Sequence, residues 1–161
     1  MDMVLGFMFA TKPVPRVALI QKNHPEFMAG KWNGIGGRIE CAELSQQAMC
    51  REFKEETGVQ TFRTDWTRAV AMNVAHHTID IFKGDGDRAV EKYPGDKPDK
   101  LLIDCVETTT DEKVQVWPVQ CLPRPYMDNL DWMLPLLTSR LEFPIQLHEL
   151  CSEEARERKD W

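Results

Sequence analysis

The sequence has no apolar run near the ~18 residues needed to span a bilayer, so it offers no candidate transmembrane helix. It has no excess of positive charge. Twenty Lys and Arg face 26 Asp and Glu, for a net charge of −6. Duplex nucleic acid and anionic membranes therefore receive no general electrostatic attraction. An anionic ligand would need local neutralisation, which a bound metal ion commonly supplies. There is no CxxC pair and no Cys/His zinc spacing. The five cysteines (Cys41, Cys50, Cys105, Cys121 and Cys151) are odd in number and scattered, the pattern of reduced thiols in a cytoplasmic protein. The opening MDMVLGFMFA lacks a basic residue before its apolar stretch and reads as a first strand rather than a signal peptide. No internal repeat is present.

What remains is an ordinary globular profile, 42% hydrophobic and 29% charged over 161 residues, which suits one domain spanning 1–161. Strands are expected at 3–10, 16–21, 65–74, 78–82, 101–108 and 114–119, with a short extended piece at 38–41. Helices are expected at 43–57, ended by Gly58, and at 129–140, with Pro135 as a kink or break. The stretch 83–100 is rich in Gly, Pro and charge and reads as a long hairpin loop. The segment 152–161 reads as a charged tail. Strands with inserted helices give a mixed α/β class, helices packed on a sheet.

One stretch carries the chemistry: GGRIECAELSQQAMCREFKEETGV, residues 36–59. On a helix, Glu52, Glu55 and Glu56 fall within about 100° of arc. Gln46, Gln47, Cys50 and Lys54 take the opposite arc, which suits solvent. The apolar Met49 and Phe53 flank the acidic stripe on one side, Leu44 and Ala48 on the other. A charge run normally forms the solvated face; here it shares the apolar half. Like charges at i,i+4 repel, and partial burial raises the cost. A bound divalent cation resolves the conflict, and oxygen-only ligands favour Mg²⁺ or Mn²⁺ over zinc. Arg51 is placed to steady Glu55, and Glu43 to cap the first turn or pair with Arg51. Gly36 and Gly37 allow close backbone approach, so that a carbonyl oxygen can reach the metal.

The spacing Gly37, five residues, Glu43, seven residues, Arg51-Glu52-Phe53-Lys54-Glu55-Glu56-Thr57-Gly58-Val59 resembles the Nudix box, with Phe53 where a bulky aliphatic residue is commoner. The resemblance implies an α/β/α sandwich around a mixed sheet. It also implies Mg²⁺- or Mn²⁺-dependent hydrolysis of a nucleoside diphosphate linked to another group. Carried over by position, Glu52, Glu55 and Glu56 are the metal ligands, with a Gly36 or Gly37 carbonyl. Arg51 and Glu43 form a bracing pair. A later-strand acid often completes such sites; Glu112 is the candidate, Asp111 the next. Glu55 or Glu56 serves as general base, with Glu112 as a further option.

Outside the box, FMAGKWNGIGGRIE, DEKVQVW and DNLDWMLPLL resemble the MutT-like branch that acts on oxidised purine nucleoside triphosphates. By that resemblance Asn33, Asp128 and Asn129 contact the base, Phe27 walls it and Tyr126 stacks on it. An amide at Asn129, where relatives carry a second acid, allows a different preferred base. Bland alternatives stand beside these: Asn33 as a turn residue, Asp128 and Asn129 as helix N-caps, Glu112 as a solvated residue, and His76-His77 as exposed. The expected activity is (d)NTP to (d)NMP plus pyrophosphate. Alternatives are ADP-ribose, dinucleotide polyphosphates or capped RNA as substrate, or a nucleotide sensor without turnover.

Overall fold

The structure is a computed structural model describing residues 2–74, 76–90, 100–139 and 145–148. Strands β1 (Met3–Ala10) and β2 (Arg16–Gln21) are apolar at nearly every position rather than every second one. Such strands suit a sheet covered on both faces. Along β1, Val4 and Met8 join one core with Ala48, Met49 and Phe53 of helix α1 (Ser45–Thr57). Phe7 and Phe9 join a second core with Leu130, Met133, Leu134 and Leu137 of helix α2 (Leu130–Thr138). β2 repeats the alternation, with Ala18 and Ile20 in the first core and Val17 and Leu19 in the second. The expected sandwich of a mixed sheet between helices is what forms. α1 lies close against the sheet at Gly6, where an added Cβ would lie 2.4 Å from the Met49 sulfur.

β1 and β2 pair only at Phe9–Val17 and Ala10–Arg16. Beyond that point they part, and the segment 32–38 fills the gap. Strand β3 (Trp32–Asn33) pairs with the end of β2, while Ile35 and Arg38 bridge to Gly6 and Met3 of β1. β4 (Trp66–Val74) runs antiparallel to β5 (His77–Asp85), which lies parallel to β1. A short hairpin follows, β6 (Ala89–Val90) on β7 (Lys100–Leu101), so the described ends of the 83–100 stretch do pair. β8 (Lys113–Pro118) lines the whole of β2, and β9 (Ile145–His148) runs parallel to β4 at the far edge.

Several boundaries differ from expectation. Residues 102–105 are a 3-10 turn rather than a strand: Leu102 and Ile103 are both fully buried, and the Val106 N–H turns back to the Ile103 carbonyl at 3.4 Å instead of pairing along a sheet. The chain after them closes the C-terminus of α1. Glu107 and Thr109 donate backbone N–H groups to the Thr57 and Glu56 carbonyls, at 3.2 and 3.4 Å. Those carbonyls have no partner inside the helix. α1 starts at Ser45, not Glu43, and Leu44 is exposed at its cap. Cys50, expected on the solvent side, packs against the first core. α2 covers 130–138 and continues through Pro135 without a break. Residue 140, the centre of the 83–100 loop, the 152–161 tail and Cys151 lie outside the described residues. No disulfide joins Cys41, Cys50, Cys105 or Cys121.

Candidate active site

The site is built around α1 and the turn that leads into it. Ala42 holds a left-handed conformation, φ 64°, which keeps Glu43 out of the helix. Glu43 is thereby turned toward Arg51. Its two oxygens accept from Arg51 Nε and Nη2, each at 3.0 Å, a bidentate charge-assisted pair. The Arg51 Nη2 also donates to the Arg38 carbonyl at 2.8 Å. Its Nη1 donates to Glu52 Oε1 at 2.8 Å and to Glu55 Oε2 at 3.3 Å. Arg51 holds the Glu43 carboxyl below the usual carboxylate range. Glu52 is pushed the other way by burial, with repulsion from Glu55 and Glu56 adding to it against the pull of Arg51. α1 ends as expected at Gly58, left-handed at φ 72°, whose N–H reaches the Lys54 carbonyl at 2.8 Å.

The three glutamates of the stripe do not share one environment. The Glu52 and Glu56 side chains are 14% and 13% exposed, whereas Glu55 is 57% exposed. Glu56 belongs to a second cluster. Lys22 Nζ lies 3.4 Å from Glu56 Oε1 and 2.9 Å from Glu112 Oε2. Thr110 Oγ1 donates to Glu56 Oε2 at 3.0 Å, and the Asn23 N–H donates to Glu112 Oε1 at 2.6 Å. Burial pushes the Glu112 carboxyl up, but Lys22 and the backbone donors outweigh it and leave it below the usual range. Glu112 is brought to α1 because the chain before it caps that helix, and it lies just ahead of β8 rather than on a strand. Asp111 contributes only its carbonyl, to Asn23 Nδ2.

Five carboxylates (Glu43, Glu52, Glu55, Glu56 and Glu112) thus share two cations, Arg51 and Lys22. All the donors are hard oxygens, which suit Mg²⁺ or Mn²⁺. Gly37 forms a cradle against Glu52, since a Cβ there would lie 2.5 Å from its carboxylate. Charge balance, donor type and cradle all fit a divalent cation. Among the described residues, no three acidic, His or Cys side chains stand together as a finished metal cage; Arg51 holds three of the carboxylates and Lys22 the other two. The Gly37 carbonyl accepts from the Val4 N–H at 2.9 Å. Gly36 is required by packing, as its Cβ would meet the Val4 carbonyl oxygen at 2.1 Å.

Asn33 and Asn129 meet on the other side of the 32–38 segment. Asn33 is 5% exposed. Its Oδ1 accepts from the Gly34 N–H at 2.8 Å and from Asn129 Nδ2 at 3.1 Å. Asn129 occupies the cap position of α2 without capping it by its side chain, and its buried Oδ1 has no partner. Asp128 is exposed, and so is Phe27, on a 3-10 turn at 26–28. Tyr126 bridges to Trp32, donates its hydroxyl to Asp131 at 2.8 Å, and has Arg124 over its ring at 5.1 Å. A separate cleft of about 750 Å³ opens beyond the outer face of α1, near Cys50, Lys54, Phe62 and Arg63. Of the charged cluster around Arg51 and Lys22, Arg51 and Glu55 line it.

Sequence reasoning missed Lys22, Asn23 and Thr110. No local pattern marks them, because their carboxylate partners lie 34 to 90 residues away, apart from the Thr110–Glu112 turn.

Residues 4–83 match the family model described as the NUDIX domain. A stretch of 33 residues is 52% identical to the oxidized purine nucleoside triphosphate hydrolase of Danio rerio, covering 20% of this chain and 21% of that one. Among solved structures, a MutT NUDIX hydrolase from Burkholderia pseudomallei superposes with a TM-score of 0.57 at 19% identity, covering 86% of this chain and 99% of its own. An ADP-ribose pyrophosphatase from Streptococcus suis gives 0.59 at 15% identity, covering 92% and 98%. At such identities the superpositions speak for the fold alone. No helix among the described residues is long and apolar enough to cross a membrane. The family model takes in the glycine turn, the whole of α1 and the sheet strands that carry them, and on that ground the chain belongs to the NUDIX family.

Proposed function

We propose that the protein is a Mg²⁺- or Mn²⁺-dependent nucleoside triphosphate pyrophosphohydrolase, converting a purine (d)NTP to the monophosphate and pyrophosphate. The observation that carries the substrate reading is the amide pair of Asn33 and Asn129. Asn33 Oδ1 is spent on Gly34 and Asn129, so its Nδ2 remains to donate. Asn129 Oδ1 is buried without a partner. An unsatisfied buried acceptor costs roughly 1–3 kcal/mol, so a ligand donor there is favoured. One donor beside one acceptor complements a purine edge that offers an acceptor beside a donor. The 33-residue stretch shared with the Danio rerio hydrolase of oxidized purine nucleoside triphosphates supports the same substrate class.

Glu52, Glu55 and Glu56, with the Gly37 turn and Glu112, would hold the metal. Bound there, it neutralises phosphate charge and lowers the pKa of a coordinated water. Arg51 orients Glu52 and Glu55, and Glu43 holds Arg51. Glu56 takes the proton from the attacking water; Thr110 fixes one of its oxygens and leaves the other toward Lys22.

The test is hydrolysis of a panel of ordinary and oxidised (d)NTPs, ADP-ribose and diadenosine polyphosphates with Mg²⁺, products resolved by chromatography. Monophosphate plus pyrophosphate from a purine triphosphate is expected, with turnover reduced by orders of magnitude in Glu56→Gln and a raised KM in Asn33→Ala. Turnover confined to ADP-ribose or dinucleotides would refute the amide pair as a base reader.

A further inference from the structure

Lys22 is the first residue after β2, and its backbone is pinned on both sides. Its N–H reaches the Lys31 carbonyl at 3.0 Å, and its carbonyl accepts from the Gly30 N–H at 2.7 Å. The side chain alone is free to choose a position, and it threads between Glu56 and Glu112, itself 14% exposed. Each of those acids already has one oxygen fixed by another donor, Thr110 for Glu56 and the Asn23 N–H for Glu112. The two remaining oxygens face the same ammonium. The ammonium thus joins two acids that come from α1 and from the chain before β8.

We propose that Lys22 is an internal stand-in for the metal: its ammonium keeps Glu56 and Glu112 together in the metal-free protein, and a divalent cation binds by displacing it. This rests on the reading that these carboxylates hold the metal. A lysine suits the task better than an arginine. Its charge is compact, its four-carbon stem is flexible, and it has no planar fork that would fix it in place. An ammonium and a divalent cation cannot share one carboxylate pair, because like charges a few ångström apart repel strongly in a partly covered site. Lys22 therefore sets how tightly the metal is held. It also accounts for two acids tolerating each other before the metal arrives.

The experiment is Mn²⁺ titration of the whole chain, followed by the spin-resonance signal of free Mn²⁺, with melting temperatures in EDTA and in Mn²⁺. Lys22→Met removes the competitor, so Mn²⁺ should bind about fivefold tighter or more, a shift of about 1 kcal/mol. The same variant should melt lower than wild type in EDTA and regain the difference in Mn²⁺. Lys22→Gln gives the same reading if the methionine variant folds poorly, and Lys22→Arg should hold the metal no tighter than wild type. Equal or weaker Mn²⁺ binding by the neutral variants overturns the proposal. If wild type binds no Mn²⁺, or Glu56→Gln binds it as wild type does, the metal reading itself fails and the stand-in role falls with it. A wild-type site lost in Glu56→Gln but unchanged in Lys22→Met rejects the stand-in role alone.

Discussion

Arg51→Lys isolates what a planar fork does that a point charge cannot. The guanidinium makes five hydrogen bonds: two to Glu43, one to the Arg38 carbonyl, one to Glu52 and one to Glu55. Lysine keeps the charge but has a single nitrogen. It cannot span both Glu43 oxygens while also meeting Arg38 and Glu52, so about three of the five contacts go. Hydrogen bonds to charged groups are worth roughly 1.5–3 kcal/mol each, and less where solvent competes. The Arg51 side chain is 24% exposed, so a net loss of about 3 kcal/mol is expected, below the simple sum. For a chain of this length that is a fall of roughly 6–12 °C in Tm. Calorimetry in EDTA at pH 7 reads it without interference from metal. A double-mutant cycle with Glu43→Gln should return a coupling of about 1.5–3 kcal/mol. A lysine variant melting within about 1 °C of wild type, or a coupling near zero, would refute the argument that the bidentate pair holds the glycine turn to α1.

Glu52→Gln should raise Tm at pH 7, because the folded protein buries that carboxylate and sets it against Glu55 and Glu56. A raised folded-state pKa stabilises below the unfolded value and loses that contribution as pH rises through the folded one. The advantage of the variant should therefore shrink as pH falls through the raised folded value toward the unfolded one of about 4.5, and be gone below it; an advantage that persists or grows at pH 4 contradicts the assignment. Glu43 and Glu112 act oppositely. Their lowered values contribute stability above the unfolded pKa, lost as pH falls through the folded ones, so Glu112→Gln should cost Tm at pH 7 and little in acid. Gly37→Ala drives a methyl into the Glu52 carboxylate; hydrolysis should drop by about tenfold to a hundredfold with circular dichroism unchanged, and unaltered kcat would remove the cradle from the site. Ala42→Gly relieves a left-handed alanine and should stabilise by about 0.5–1 kcal/mol in urea titration, whereas destabilisation would mean that the turn needs the side chain.

β1 and β2 were legible to the residue because strands covered on both faces carry an almost unbroken apolar signal. The box was legible because its chemistry lies within two turns of one helix and one glycine turn. The start of α1 was not. Residues 41–43 have helix-compatible side chains, but tertiary pairing of Glu43 with Arg51 draws them into a left-handed turn. The 101–108 stretch misled because a short apolar run has no period to read; the α1 end that Glu107 and Thr109 cap, 50 or more residues back in the chain, decided it. Asn33 and Asn129 were each legible as candidates, yet their mutual contact, 96 residues apart in the chain, was not. The Lys22 clamp had no signal at all, since a lysine after a strand is the commonest of surface features.

The wedge of residues 32–38 between β1 and β2 has a consequence for how such a pocket can change. Asn33 at one end reaches the amide pair, and Gly37 at the other touches Glu52, with Gly6 and Val4 of a single strand pinning the interval by backbone bonds. Four extended residues span about 13 Å. The interval is therefore a fixed ruler between the Asn33–Asn129 pair and Glu52. Side chains at either end can be exchanged to alter which group is read, but the length being measured cannot drift by small steps. Inserting or deleting one residue would reverse the facing of every side chain beyond it, so the distance between the two ends is held while the side chains at either end are free to differ.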